Sequence, residues 1–172
     1  MRTLVLAALF LGCAASCAQR PAPPLANRAV AARPPAGSSE QDAVRLAVFR
    51  YLVDHNASGR RHGVPFICLE ADGSGHGDPS PFILAAMNER TPRAVPGSAC
   101  ESSVDGVFLK DDHAQGPGLI FHIEQVTIDG DRATVTGGYY AAGLSASGNI
   151  YTVERQRDGS WTVTGDQLQW IS

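Results

Sequence analysis

Residues 118–140 read GLIFHIEQVTIDGDRATVTGGYY, and this stretch decides the fold. Two runs of alternating apolar residues, 118–128 and 132–140, flank the turn residues 129–131. Such alternation around an Asp-Gly turn predicts two antiparallel strands joined as a hairpin. In the first run the apolar positions change from odd to even numbers after Ile123, which indicates a β-bulge and a bent strand.

The strand pattern continues on both sides of this hairpin. Further strands are predicted at 104–110, 150–157 and 161–171, and a separate apolar run predicts an early strand at 64–70. The apolar positions of 161–171 also change parity, which predicts a second bulge. Together these features indicate a strongly curved, antiparallel sheet of four to six strands.

Two helices are predicted before this meander. Ser38 or Ser39 is placed to cap a helix whose apolar residues recur at helical spacing and which ends at Gly59. Ser80, followed by Pro81, indicates a second and shorter helix. The predicted fold class is therefore α+β, with the curved sheet packed on the N-terminal helix and the short second helix.

The end of the chain carries a resemblance to known folds. The order of the elements, and the ending IYTVE (150–154) followed by DGSWTV (158–163), resemble the NTF2-like and cystatin-like superfamilies. The resemblance spans about residues 40–171 and implies a roll, in which a helix packs in the concavity of the sheet. The early strand at 64–70 departs from the usual helix-first order. These superfamilies include isomerases, dehydratases, protein-binding modules and inhibitors, so the fold alone does not assign a function.

The N-terminus has the layout of an export signal. Arg2 precedes an unbroken apolar run, 4–11, which is shorter than the roughly 20 residues of a membrane-spanning helix. The residues Ala14-Ala15-Ser16-Cys17 resemble the lipobox of bacterial lipoproteins. This resemblance implies a signal at 1–17, a lipid on Cys17 and a location on the periplasmic side of the outer membrane.

Two other processing sites stay open. Phe10-Leu11-Gly12-Cys13 also resembles a lipobox, with a shorter signal. Ordinary cleavage after Ala18 would instead release a soluble periplasmic or secreted protein. A lipid on Cys17 or on Cys13 would attach the protein to a membrane, whereas cleavage after Ala18 would not.

Residues 18–38 are rich in Pro, Ala and Arg and are predicted to form an extended tether before a single domain, 39–172. The chain before residue 40 contains four arginines and no acidic residue. The whole chain has 14 basic and 17 acidic residues. Without these four arginines, the domain has 10 basic and 17 acidic residues, which gives it a net charge of −7. This charge argues against a nucleic-acid partner and places the tether, rather than the domain, near an anionic membrane.

The domain retains two cysteines, Cys68 and Cys100. In an exported chain two such cysteines most simply form a disulfide. A catalytic thiol would need a His-Asn arrangement that is not evident nearby, and a zinc site would need a CxxC pair. The loop 70–78 has carboxylates, glycines and a histidine that could hold a hard cation, but it lacks EF-hand spacing and is interpreted as a solvated loop. No metal or cofactor is predicted.

Four consecutive residues, Gly137, Gly138, Tyr139 and Tyr140, are the most unusual feature of the strands. Paired glycines in a strand mark a bend or a close approach to the backbone. This stretch is predicted either to bend the sheet ahead of a long hairpin loop, 141–147, or to form a Gly- and Tyr-lined surface for a peptide, glycan or small ligand. The two tyrosines are predicted to point to opposite faces.

His122 is a further candidate. It shares a strand face with Glu124, and the two would form an acid-base pair if that face lined the concavity. The alternation of Leu119, Phe121 and Ile123 instead predicts that the odd-numbered face is buried and that His122 lies outside.

These observations favour a non-catalytic binding or interaction module of the cell envelope, with a protein, peptide or small-molecule ligand. The alternative is a small-molecule enzyme of the NTF2-like type, with a His or carboxylate base in the concavity of the sheet. A third hypothesis, an inhibitor of an exported enzyme, requires the loop 141–147 to protrude.

Overall fold

The computed structural model describes residues 39–56, 58, 63–71, 77–89 and 92–172. The signal at 1–17 with its lipid on Cys17, and the tether at 18–38, lie outside these residues, as does most of the loop 70–78. Among the described residues, no helix is both long and apolar enough to cross a membrane.

The described helices and strands are α1 (Glu40–His55), β1 (Phe66–Glu70), α2 (Pro81–Met87), β2 (Arg93–Pro96), β3 (Cys100–Ser103), β4 (Gly106–Leu109), β5 (Leu119–Asp129), β6 (Arg132–Ala142), β7 (Ser145–Arg155) and β8 (Trp161–Ile171). Six strands form one sheet in the order β2-β1-β5-β6-β7-β8, while β3 and β4 form a separate hairpin. The predicted α+β class with a curved sheet is confirmed, and four of the strands, β5 to β8, pair antiparallel. The prediction of a wholly antiparallel sheet is wrong, because β1 runs parallel to both β2 and β5.

Both helices begin at the serines that can cap them. The side chain of Ser39 accepts a backbone hydrogen bond in the first turn of α1 at 3.1 Å, and Ser80 does the same for α2 at 3.4 Å. α1 ends at His55, before the predicted end at Gly59. The side chain of Asn56 explains this end, since it donates to a carbonyl of the last turn at 2.7 Å.

The main core lies between α1 and one face of β5 to β8. Its largest buried side chains include Phe49, Phe121, Tyr139 and Tyr151. These side chains come from the helix and from every second position of the strands, which is the periodicity that the sequence shows. Burial of this aromatic and aliphatic surface is the main contribution to the stability of the domain.

A second, smaller core lies on the opposite face of the sheet. The β3–β4 hairpin covers this face and buries Phe66, Cys68, Val95, Cys100, Val107 and Ile120. The predicted disulfide between Cys68 and Cys100 is present there, with Cα atoms 6.4 Å apart. Ile120, on the face predicted to lie outside, is therefore buried. The predicted alternation missed this because the covering hairpin is a separate element that the apolar pattern of β5 does not reveal.

The long strands bend where the apolar pattern changes parity. The register of β5 with β6 shifts between Ile123 and Gln125. The register of β7 with β8 shifts twice, and both predicted bulges are thus confirmed. The predicted hairpin loop 141–147 is wrong, since β6 and β7 extend into it and leave only Gly143 and Leu144 between them.

Candidate functional site

The paired glycines are sites of close backbone approach. A Cβ atom on Gly137 would collide with the carbonyl oxygen of His122, and one on Gly138 with the carbonyl oxygen of Ser147. These residues lie on the two strands that flank β6. The glycines therefore let β5, β6 and β7 pack closely at this bend, which is a structural role.

The two tyrosines lie on opposite faces of the sheet. Tyr139 is buried in the main core beneath α1. Tyr140 is half-buried against the second core, and its hydroxyl donates to the backbone carbonyl of Ser103 at 2.7 Å. The structure thus does not bring Gly137, Gly138, Tyr139 and Tyr140 together as one binding surface.

His122 lies on the face of the sheet that points away from α1, directly opposite Gly138. Burial lowers the pKa of His122 below its usual value, while the nearby carboxylate of Glu124 acts in the opposite direction. The His122 Nε2 atom is 3.9 Å from a Glu124 carboxylate oxygen. His122 is therefore separated by the sheet from the surface on which α1 packs.

A group of polar and aromatic side chains that the sequence did not indicate lies on the α1 side of the sheet, at the edge of the main core. We call it the Asp166 cluster: Tyr51, His55, Asn149, Tyr151 and Asp166. One carboxylate oxygen of Asp166 accepts from Asn149 Nδ2 at 2.6 Å, and the other accepts from the Tyr51 hydroxyl at 3.2 Å. The Tyr51 ring stacks on His55, with centroids 4.1 Å apart, and meets the edge of Tyr151 at 5.9 Å.

The cluster holds a negative charge in a fixed position at the surface. Asp166 is exposed, while Tyr51 and Asn149 are half-buried, so the two donors orient the carboxylate from the protein side. A carboxylate with one partner on each oxygen still has free lone pairs. It is therefore suited to accept a cationic or hydrogen-bond-donating group from solvent.

Because Tyr151 belongs to the Asp166 cluster, we expect the stability of the folded domain to decline at high pH. Burial, and less strongly the charge of Asp166, raises the pKa of Tyr151 above its usual value of about 10. Above that pH the unfolded chain loses a proton that the folded domain retains, so stability present below pH 10 is lost as the pH rises. Urea titrations are expected to show that Tyr151→Phe removes about 1 kcal/mol of the decline between pH 10 and 11. Equal declines in the two proteins would contradict this.

Five large apolar side chains are exposed at one end of the sheet. We call them the apolar rim: Val104 (77% exposed), Leu144 (90%), Leu168 (53%), Trp170 (50%) and Ile171 (59%). The backbone joins these segments, because Gly143 donates to the carbonyl of Val104 at 3.0 Å and Ser172 exchanges hydrogen bonds with Ala146. The rim thus spans the β3–β4 turn, the β6–β7 turn and the end of β8.

Comparisons with known proteins identified no relationship: no family model, no curated protein and no solved structure matched the chain. In the part of the chain that the structure describes, no three His, Cys, Asp or Glu side chains are grouped so that they could hold a metal ion.

Proposed function

We propose that this domain is a non-catalytic binding module of the bacterial cell envelope, carried on an NTF2-like or cystatin-like roll. In this proposal the chain is exported, Cys17 carries the lipid, and the tether 18–38 holds the domain away from the membrane. The disulfide between Cys68 and Cys100 supports export, since such bonds persist in oxidising compartments.

The apolar rim is the observation that supports binding. Single exposed apolar residues are ordinary, but a group of them at one end of a fold marks an interaction surface. Leu144 and Val104 occupy the tips of adjacent turns, where polar residues would fold equally well. A partner that covers them gains roughly 25 cal/mol for each Å² of apolar surface removed from water.

The proposal is tested by photo-crosslinking in intact cells. A photoreactive amino acid at Leu144 is expected to form a covalent adduct with a partner, whereas the same residue at Gln156 is not. Gln156 is a matched control, because it is exposed and lies in the β7–β8 turn, away from the apolar rim. Adducts of equal yield at both positions, or none at Leu144, would contradict the proposal.

The enzyme alternative has one observation in its favour. Asp166 presents an exposed carboxylate on the α1 side of the sheet, where a base would have to lie, whereas His122 lies on the other side. A small molecule that stabilises the domain against heat, and fails to stabilise Asp166→Asn, would favour this alternative. The inhibitor hypothesis requires residues 141–147 to form a protruding loop, but only Gly143 and Leu144 lie between β6 and β7, where they form a short turn.

A further inference from the structure

The two edges of the main sheet differ in how their backbones are protected. Edge strand β2 has four residues and ends at Pro96. The side-chain amide of Asn88 donates to the carbonyl of Ala94 and accepts from its N–H, both at 3.0 Å, as a neighbouring strand would. A short strand, a proline and a side chain that occupies the free groups are the devices by which proteins prevent further strand pairing.

Edge strand β8 is less protected: Gln169 Nε2 donates to the carbonyl of Gln167 at 3.4 Å, and two bulges interrupt its pairing with β7. It has 11 residues, contains no proline, and ends the sheet in the strand order. Ser172 and Ala146 exchange both backbone hydrogen bonds, so the N–H and C=O groups of the preceding Ile171 point away from β7. The end of β8 therefore presents unpaired backbone groups next to exposed apolar side chains.

Side chains flank this edge on both faces of the sheet. Asp166 and Leu168 lie on the α1 side, at the positions paired with Tyr151 and Asn149. Trp170 lies on the other side and rests on the backbone of Gly148, where a Cβ atom would collide with its indole ring. An added strand would thus meet a carboxylate and an apolar side chain on one face, and an indole on the other.

The charge of this edge is negative. Asp166 is the sole charged residue of the sequence 159–172, and the domain as a whole has 10 basic and 17 acidic residues. Tyr51 of α1 and Asn149 of β7 hold the exposed Asp166 carboxylate on the α1 face of β8. A second copy of the chain would bring another Asp166 and another acidic domain, whereas a cationic partner is complementary.

We infer that β8 binds an extended peptide segment of a partner protein as an added strand, with a basic side chain beside Asp166 and apolar side chains against Leu168 and Trp170. Backbone hydrogen bonds to the free edge supply affinity, and the side-chain sites supply specificity. This inference rests on the proposed function and names the chemistry of the partner.

The test measures fluorescence anisotropy of a short labelled peptide, in which threonine and valine alternate around a central lysine, with the oxidised domain. One control peptide has glutamate in place of lysine, and a second is N-methylated at the amides that would face β8. The lysine peptide is expected to bind about fivefold more tightly than the glutamate peptide, as for an exposed ion pair. N-methylation is expected to weaken binding about tenfold, through the lost hydrogen bonds.

Two variants of the domain locate the peptide. Asp166→Asn retains the shape of the side chain and is expected to remove the preference for lysine over glutamate. Ile171→Pro removes the outward N–H without breaking a bond to β7, and is expected to weaken binding about tenfold. Ile171→Ala is its control, since it retains the N–H, and is expected to weaken binding less than Ile171→Pro. Circular dichroism and thermal melts verify that each variant folds.

Several results would overturn the inference. Binding that ignores N-methylation excludes strand addition, and a lysine preference that persists in Asp166→Asn excludes the carboxylate site. Dimers that are observed in sedimentation and that Ile171→Pro dissociates would assign the edge to a second copy of the chain.

If any of these results occurs while Leu144 still forms a specific adduct in cells, the proposed function stands and this inference fails. If Leu144 forms no adduct in cells but the peptide results are as expected, the proposed function fails alone.

Discussion

Replacement of both Cys68 and Cys100 by alanine is expected to lower the free energy of unfolding by about 3 to 4 kcal/mol. The two residues are 32 positions apart, so the bond removes much of the conformational freedom of the unfolded chain. It also links β1 to the start of β3, and thereby holds the hairpin over the second core. Urea denaturation, followed by circular dichroism, measures the change.

Reduction of the unaltered protein separates the cross-link from the packing of the sulfur atoms. Both cysteines are buried, so alanine also leaves a small cavity, whereas reduction leaves the side chains in place. The reduced protein is expected to lose most of the same free energy. A double variant within about 1 kcal/mol of the oxidised protein would contradict a stabilising role for the bond.

Local patterns in the sequence predict much of this fold. Ser39 and Ser80 cap the helices because their hydroxyls meet N–H groups within one turn, and such contacts are encoded nearby in the chain. The change of parity after Ile123 locates a bulge for the same reason. In an exported chain with two domain cysteines, the Cys68–Cys100 pairing has one simple solution.

The parts that could not be predicted depend on distant contacts. β2 and β3 have four residues each, which are too few to show a clear apolar period. β2 also pairs in parallel with β1, from which α2 separates it in the sequence. Residues 141–147 are mostly small and have weak strand propensity, yet pairing of β6 with β7 orders all of them except Gly143 and Leu144 as strand.

The candidate site shows the same limit more strongly. Tyr51 and Asp166 are 115 positions apart, and Asn149 comes from a third element. No spacing rule relates them, because the fold alone brings them together. The side chain of Asn88 is equally inconspicuous in sequence, although it closes one edge of the sheet. Leu168 and Trp170 belong to the apolar pattern of the sequence, but their exposure depends on what the rest of the fold covers.

The bend at the paired glycines connects the most unusual stretch of the sequence to the proposed binding edge. Gly138 pairs with His122 on one side and Gly148 on the other, and Gly148 in turn pairs with Trp170. The glycines allow the strands to approach, and the missing side chain at Gly148 makes room for the indole. The glycines thus act on the proposed binding edge indirectly, through the position of Trp170.

Gly138→Ala is accordingly expected to destabilise the domain by about 2 to 3 kcal/mol. Its Cβ would collide with the carbonyl oxygen of Ser147, which belongs to the backbone of β7 and cannot move without disturbing the β6–β7 pairing. Gly63→Ala is the matched control, because a Cβ there meets open space, and it is expected to change stability by less than about 0.5 kcal/mol. Urea denaturation compares the two variants, and hydrogen exchange is expected to accelerate in β6 and β7 of Gly138→Ala alone. Equal stability of the two variants would contradict the close approach at Gly138, and with it the argument that this bend positions Trp170 at the edge of the sheet.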